Sequence, residues 1–238
     1  MASYVKARKK IINYIKKNGL NVGDKLPSEA VLSKELSVSR LTLRESINVL
    51  QGEGFVYTIH GKGSFISSDL KHISDTLNNN LGITEMIELA GSKPGTKDFE
   101  RILVTANKEV ANNLRIEEGT DVLVCKRIRT ADGKPVVYSI DYFAPRLVSG
   151  FLNIKDKNIS IYKFIEEDNR LKIDNSIVEI IPYKCTSDLA RMLDYKKDEP
   201  LLKLIQTITD EKGNPLIYAI EYLRPDCFKI LISRKRKV

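Results

Sequence analysis

Two stretches of this 238-residue chain repeat one pattern. DVLVCKRIRTADGKPVVYSIDYFAPRL at 121–147 is echoed by EPLLKLIQTITDEKGNPLIYAIEYLRPDCF at 199–228. Pro135/Pro215, Tyr138/Tyr218, Asp141/Glu221, Tyr142/Tyr222 and Pro145/Pro225 lie 80 residues apart, whereas Arg127 and Gln206 lie 79 apart. The second copy therefore gains one residue in its glycine-containing turn. A helical segment precedes each copy, EVANNL at 109–114 and DLARML at 188–193. Each unit reads as helix, strand, turn, strand, and neither hairpin buries its apolar face alone. The expected result is one antiparallel sheet with helices on one side, an α+β domain. Residues that differ between the copies are those the fold does not demand. Arg127 and Arg129, two apart on a strand and so on one face, are replaced by Gln206 and Ile208. Paired guanidinium groups there suit a phosphate or carboxylate, with a surface ion pair as the alternative.

The first 68 residues carry a different signal. Ile11, Ile12 and Ile15 recur at helical spacing among lysines before Gly19 and Gly23-Asp24 break the pattern. Ser28 is positioned to cap a second helix whose apolar face is Val31, Leu32 and Leu36. Val38 fills a turn, Ser39 caps a third helix, and Leu43, Ile47 and Leu50 form its buried stripe. Arg40, Thr42, Arg44 and Asn48 are left facing outward, as a recognition helix requires. Arginine matches guanine O6 and N7 through two hydrogen bonds, and helix N-termini at Ser28 and Ser39 offer N–H groups to phosphates. FVYTI and SFI then read as two strands joined by His60-Gly61-Lys62-Gly63, a slim wing tip with His60 and Lys62 available to DNA.

Charge agrees with that reading. Of a net +8, most sits in residues 1–68, which hold eleven Lys/Arg against five Asp/Glu. Cys125, Cys185 and Cys227 are odd in number and without a CxxC pairing, which argues against a disulfide framework or zinc site and predicts a reducing, cytoplasmic setting. The sequence contains no apolar run of membrane-spanning length, so no membrane partner is expected. GKGS at 61–64 lacks the remainder of a P-loop. Both histidines, His60 and His72, lie outside the repeat, and neither a nucleophile–base set nor a cofactor motif is present. An enzyme and a sequence-tolerant architectural DNA coat, the latter helped by the tail Arg234-Lys235-Arg236-Lys237, are the weighed alternatives.

LPSE at 26–29, LS-x-x-L at 32–36, VSR-x-TLR at 38–44, L-x-x-EGF at 50–55 and GKGSF at 61–65 together resemble the winged helix-turn-helix of the GntR family of bacterial transcription regulators. The resemblance implies that Arg40 and Arg44 contact operator bases. It further implies that Gly61 lies at the minor groove and that Ser39 and Thr42 hold phosphates. Ala30 stands where the family often has an arginine, so one base contact is expected to be missing. R-x-R-x-x-DG-x-P at 127–135, S-x-Y at 160–162 and R-x-D-x-F at 224–228 resemble the UTRA effector domain of the HutC-type branch, similar in fold to chorismate lyase. That likeness implies an anion site of Arg127 and Arg129 with Thr84, Ser160 and Tyr162, and Ser139 where some sugar binders carry an acid. The expected organisation is a DNA-binding domain at 1–68, a linker at 69–80 and an effector and dimerisation domain at 81–238. The expected protein is a homodimeric regulator, most simply a repressor, of a short inverted-repeat operator. Its expected effector is a small anion such as a phosphosugar or carboxylate, with no cofactor.

Overall fold

A computed structural model describes residues 3–52, 54–67, 73–76 and 80–231. The chain divides into two compact units, one of residues 1–79, 86–92 and 228–238, the other of 80–85 and 93–227.

In the first unit, helices α1 (Ser3–Lys17), α2 (Glu29–Glu35) and α3 (Arg40–Gly52) precede the hairpin β1 (Val56–Ile59) and β2 (Gly63–Ile66). Ile11, Ile12 and Ile15 meet Leu32, Leu43, Ile47, Leu50, Phe55, Val56 and Ile66 in one core. Leu43, Ile47 and Leu50 form the expected stripe, since residues four and three apart share a helix face. Val31 departs from expectation at 46% exposure, while Leu32 is fully buried. One residue step turns a helix by about 100°, so a two-turn helix packing through Leu32 cannot also bury Val31. The α2–α3 turn is closed by Ser37 in the left-handed region (φ 49°) and by Ser33 Oγ donating to the Val38 carbonyl at 2.6 Å.

The segment expected to be a linker contains a strand. β3 (Ile73–Thr76) runs parallel to Phe228–Leu231, with Ile73 opposite Phe228 and Thr76 opposite Leu231. The rest of 69–79, including His72, and the basic tail at 234–237 lie outside the described residues. Helix α4 (Ile83–Leu89) contributes Thr84 and Glu85 to the second unit and the buried Met86 and Ile87 to the first. In the first unit Lys9 pairs with Glu88 at 3.4 Å, and Lys16 Nζ donates to the Ala90 carbonyl.

The second unit is a six-stranded sheet flanked by helices. Its elements are β4 (Pro94–Thr105), α5 (Lys108–Leu114), β5 (Asp121–Ala131), β6 (Lys134–Phe143), α6 (Pro145–Leu152), α7 (Ile161–Lys163), a π-helical turn Phe164–Asp168, β7 (Ile173–Lys184), α8 (Ser187–Leu193), β8 (Pro200–Asp210) and β9 (Pro215–Leu223); β10 is the Phe228–Leu231 strand. The strand order β4-β5-β6-β9-β8-β7, all antiparallel, is a palindrome. Each half is strand, helix, strand, hairpin, strand, so the duplication extends to β4 and β7. The caps repeat as well: Asn107 and Thr186 begin α5 and α8, and Arg115 and Asp194 end them in the left-handed region. The Arg129/Thr130 bulge returns at Ile208/Thr209, and the next pairs are Thr130↔Pro135 and Thr209↔Pro215, which locates the added residue in the turn. Asp132-Gly133, both with positive φ, make the shorter turn, a two-residue hairpin loop whose twist suits the strands.

Helices cover both sheet faces rather than one. Val110, Ala111 and Leu114 of α5 and Leu189 and Leu193 of α8 pack on the face that carries Val122, Tyr138, Tyr218 and Tyr222. The segment between the two copies supplies α6, α7 and the π turn to the opposite face, against Leu123, Cys125, Phe143, Ile217 and Ala219. That insertion has no counterpart elsewhere in the repeat, so the duplication could not reveal it.

Candidate functional site

At the start of α3, Ser39 Oγ accepts from the Thr42 backbone N–H at 3.1 Å, and the two hydroxyls lie 2.8 Å apart on an exposed surface. Arg40 and Arg44 are exposed beside them, and Leu41 between them is 70% exposed. Arg44 is held by Glu29 of α2: Nη2 donates at 2.7 Å and Nε at 3.2 Å to its carboxylate. The Arg44 guanidinium holds the Glu29 carboxyl below the usual carboxylate range. Ser28 Oγ caps α2 by accepting from the Val31 N–H at 3.4 Å. In the hairpin, Tyr57 stacks on Phe65 with centroids 5.4 Å apart, and Gly61 and Gly63 take positive φ at its tip. His60, Gly61 and Lys62 are exposed there. Every residue expected to touch DNA thus lies on the surface of one small domain, with Thr42 partly covered.

The second site begins with register. Arg127 lies opposite Ser139 and Arg129 opposite Val137, so both arginines share the face covered by α6 and α7. Arg129 is fully buried; Nη1 donates to Thr96 Oγ1 at 3.1 Å and Nη2 to Thr84 Oγ1 at 2.8 Å. Among the described residues its hydrogen-bond partners are these two hydroxyls. Burial, with the neighbouring Arg127 charge adding to it, pulls Arg129 down to about 10. Arg127, 5% exposed, donates to the Ile159 carbonyl at 3.0 Å and faces Asp141 at 3.6 Å. The Nε atoms of both arginines are buried without a hydrogen-bond partner. Native structures leave few such donors.

Ser160 Oγ, capping α7, donates to Glu85 Oε1 at 2.8 Å, and Tyr162 OH donates to Asn80 at 2.8 Å. Gly82 lies against the Tyr162 ring, where an added Cβ would meet Glu85 Oε2 at 2.5 Å and ring carbons at 3.2 Å. Ser139 Oγ donates to Asp141 Oδ2 at 3.1 Å. Burial raises Asp141 against the opposing pull of Arg127, and burial pushes the Cys125 thiol up to about 12. Thr84, Thr96, Arg127, Arg129, Ser139, Asp141 and Glu85–Ser160 therefore belong to one unit and one side of its sheet. Thr96, Glu85 and Gly82 escape sequence reasoning. Thr96 sits on an edge strand with no visible repeat partner, and the others belong to a short helix and its lead-in. Arg224 of the R-x-D-x-F motif serves the fold instead: it pairs with Asp226 at 2.7 Å and donates to the Pro135, Leu193 and Asp194 carbonyls.

Comparison with known proteins agrees with both halves. Residues 3–66 match the bacterial regulatory proteins of the gntR family, and residues 89–229 match the UTRA domain. The HTH-type transcriptional repressor NagR of Bacillus subtilis is 26% identical over 223 residues, covering 94% of this chain and 90% of NagR. The HTH-type transcriptional regulator GmuR of the same organism is 29% identical over 221 residues, 92% of each chain. The crystal structure of the possible transcriptional regulator YydK from Bacillus subtilis matches with a TM-score of 0.64 at 23% identity, covering 99% of this chain and 100% of that one. PhnF from Mycobacterium smegmatis matches at 0.63 and 20%, covering 97% and 100%. No helix among the described residues is long and apolar enough to cross a membrane. With a winged helix-turn-helix joined to a UTRA sheet, the chain belongs to the gntR family of DNA-binding transcription regulators, in its HutC-type, UTRA-containing branch.

Proposed function

We propose that this protein is a cytoplasmic repressor whose operator affinity falls when a small anion, such as a phosphosugar or carboxylate, binds its UTRA domain. DNA reading is assigned to residues 1–68, with Arg40 and Arg44 on bases, Ser28, Ser39 and Thr42 on phosphates, and His60, Gly61 and Lys62 at the groove edge. Residues 81–238 take the effector through Thr84, Arg127, Arg129, Ser139, Ser160 and Tyr162 and hold two copies together, with 69–80 as the connection. A two-fold dimer suits a short inverted repeat, because one winged domain reads one half-site. The observation that carries the effector reading is the buried Arg127–Arg129 pair, with both Nε donors unfilled and two threonine hydroxyls around Arg129. A buried cation among hydroxyls is costly until an anion joins it.

Thermal shift against phosphosugars, carboxylates and inorganic phosphate, followed by operator titration with each binder, tests this. Arg127→Ala should remove the ligand-induced shift and leave operator binding intact. Arg44→Ala should do the reverse, weakening the operator by about 1–3 kcal/mol. Coupling of about 1–3 kcal/mol predicts a roughly 5–150-fold change in operator affinity on ligand binding. A binder that shifts melting yet leaves operator affinity unchanged would sink the switch.

A further inference from the structure

Two stripes on α3 share one spacing. Leu43, Ser46, Ile47 and Leu50 are buried at i, i+3, i+4 and i+7. Leu41, Arg44, Glu45 and Asn48 repeat that spacing two residues earlier, and all four are exposed. Two residues turn a helix by about 200°, so the second stripe points away from the core. By side-chain chemistry, arginine suits guanine, glutamate the cytosine amine and asparagine adenine. Leu41 offers no hydrogen bond at all. At 70% exposure it is the most exposed large hydrophobic side chain among the described residues of its unit. Single apolar side chains on a surface are ordinary, but this one stands on the outward stripe of a helix that begins beside Arg40.

The first turn of α3 suits anionic surroundings. It holds no acidic residue, and Arg40 stands at the positive end of the helix dipole, where a cation is disfavoured until phosphates surround it. The N-terminal residues of a recognition helix are those that meet base edges in the major groove. Leu41 enters with them, and its surface leaves water against the edge it meets. A donor or acceptor of guanine, cytosine or adenine would lose water there and gain no hydrogen bond from a leucine. Thymine is the base that presents an apolar group to the major groove, its 5-methyl.

We propose that Leu41 is a specificity-determining residue that reads thymine through this methyl group. The proposal rests on α3 as the groove-reading helix, the assignment made above for Arg40 and Arg44. Leu41 and Arg44 lie three residues apart, about 4.5 Å along the helix axis, against a rise of about 3.4 Å per base pair. The thymine therefore stands one or two base pairs from the base that Arg44 takes.

A duplex selected by the full chain from a random-sequence pool supplies the probe. Each thymine of a half-site is replaced in turn by deoxyuridine, which removes the methyl and keeps the hydrogen-bonding edge. At one thymine per half-site the replacement should weaken binding about three- to tenfold, the worth of one buried methyl group. Leu41→Ala should weaken binding to the thymine duplex by a similar factor and no longer distinguish thymine from deoxyuridine at that position, a double-mutant cycle between side chain and methyl. Its melting temperature should match the parent's, because Leu41 lies outside the core, and the salt dependence of binding should keep its slope, because no phosphate contact is lost. A merely structural role would move the melting temperature and leave the thymine preference in place. A half-site in which no methyl matters, or a preference that survives Leu41→Ala at every thymine, overturns the proposal. Arg44→Ala on the same duplex separates it from the reading beneath: if that variant alone weakens binding, only the leucine contact falls, and if neither does, α3 as the reading helix falls with it.

Discussion

Residues 94–143 and 173–223 are two versions of one half-sheet, and they differ most where the sheet faces the inserted helices. What they share is scaffolding: helix caps at Asn107 and Thr186, left-handed ends at Arg115 and Asp194, a bulge before each turn, and stacked tyrosine pairs across the central strands. What they do not share is the basic pair, whereas an acid stands in both copies at Asp141 and Glu221. Arg127 and Arg129 become Gln206 and Ile208; Thr96, opposite Arg129, has as its register counterpart Ser176, opposite Ile208. The comparison teaches that backbone and apolar packing are symmetric while the buried arginine pair, the anion site proposed above, is confined to one side. A pocket built this way needs only a few substitutions in one copy to acquire a ligand.

Leu114 and Leu193 occupy equivalent last turns of α5 and α8 and are both buried. Truncating either to alanine should destabilise by about 2–5 kcal/mol, read from denaturant unfolding. A large inequality between the two would break the symmetry at the level of packing. Removing the caps is the next test: Asn107→Ala and Thr186→Ala should each cost about 1 kcal/mol, since each side chain accepts from the backbone N–H three residues on. The smallest effect on stability sharpens the functional contrast. Thr96→Val removes one of the two hydroxyls on Arg129 and should cut the thermal shift produced by inorganic phosphate, whereas Ser176→Ala should leave that shift unchanged. Equal responses would mean that the anion site is not confined to one half.

Much of this was legible in the residues because it is local. Caps, the Asp132-Gly133 turn, the stripe of α3 and the exposed Arg40 and Arg44 all follow from spacing within a few positions. The repeat was readable only through its central hairpins, where every strand has two neighbours and two covered faces. β4 and β7 are edge strands with alternating exposure, so PGTKDFERILVT and IDNSIVEIIPYK retain little resemblance despite their equivalence. The parallel pairing of Ile73–Thr76 with Phe228–Leu231 joins segments more than 150 residues apart, and no pattern of period 2 or 3.6 reports such a contact. The site was legible in part for the same reason. Arg127 and Arg129 stand out by failing to repeat, but Thr96 and Glu85 reach the arginines and Ser160 only through the folded sheet and α4.

The Glu29–Arg44 pair has a consequence for how wrong DNA is refused. A carboxylate and the Hoogsteen edge of guanine both offer a guanidinium two acceptors side by side, so Arg44, in the base-reading role proposed for it, would leave one fork for another on docking. Release from Glu29 is required on every sequence, but only a base with two aligned acceptors restores both bonds. On an exposed surface that threshold is small, and salt shrinks it further. On that proposed reading, at low ionic strength the carboxylate would compete with every mismatched site the head samples and leave a guanine-bearing site as the better host.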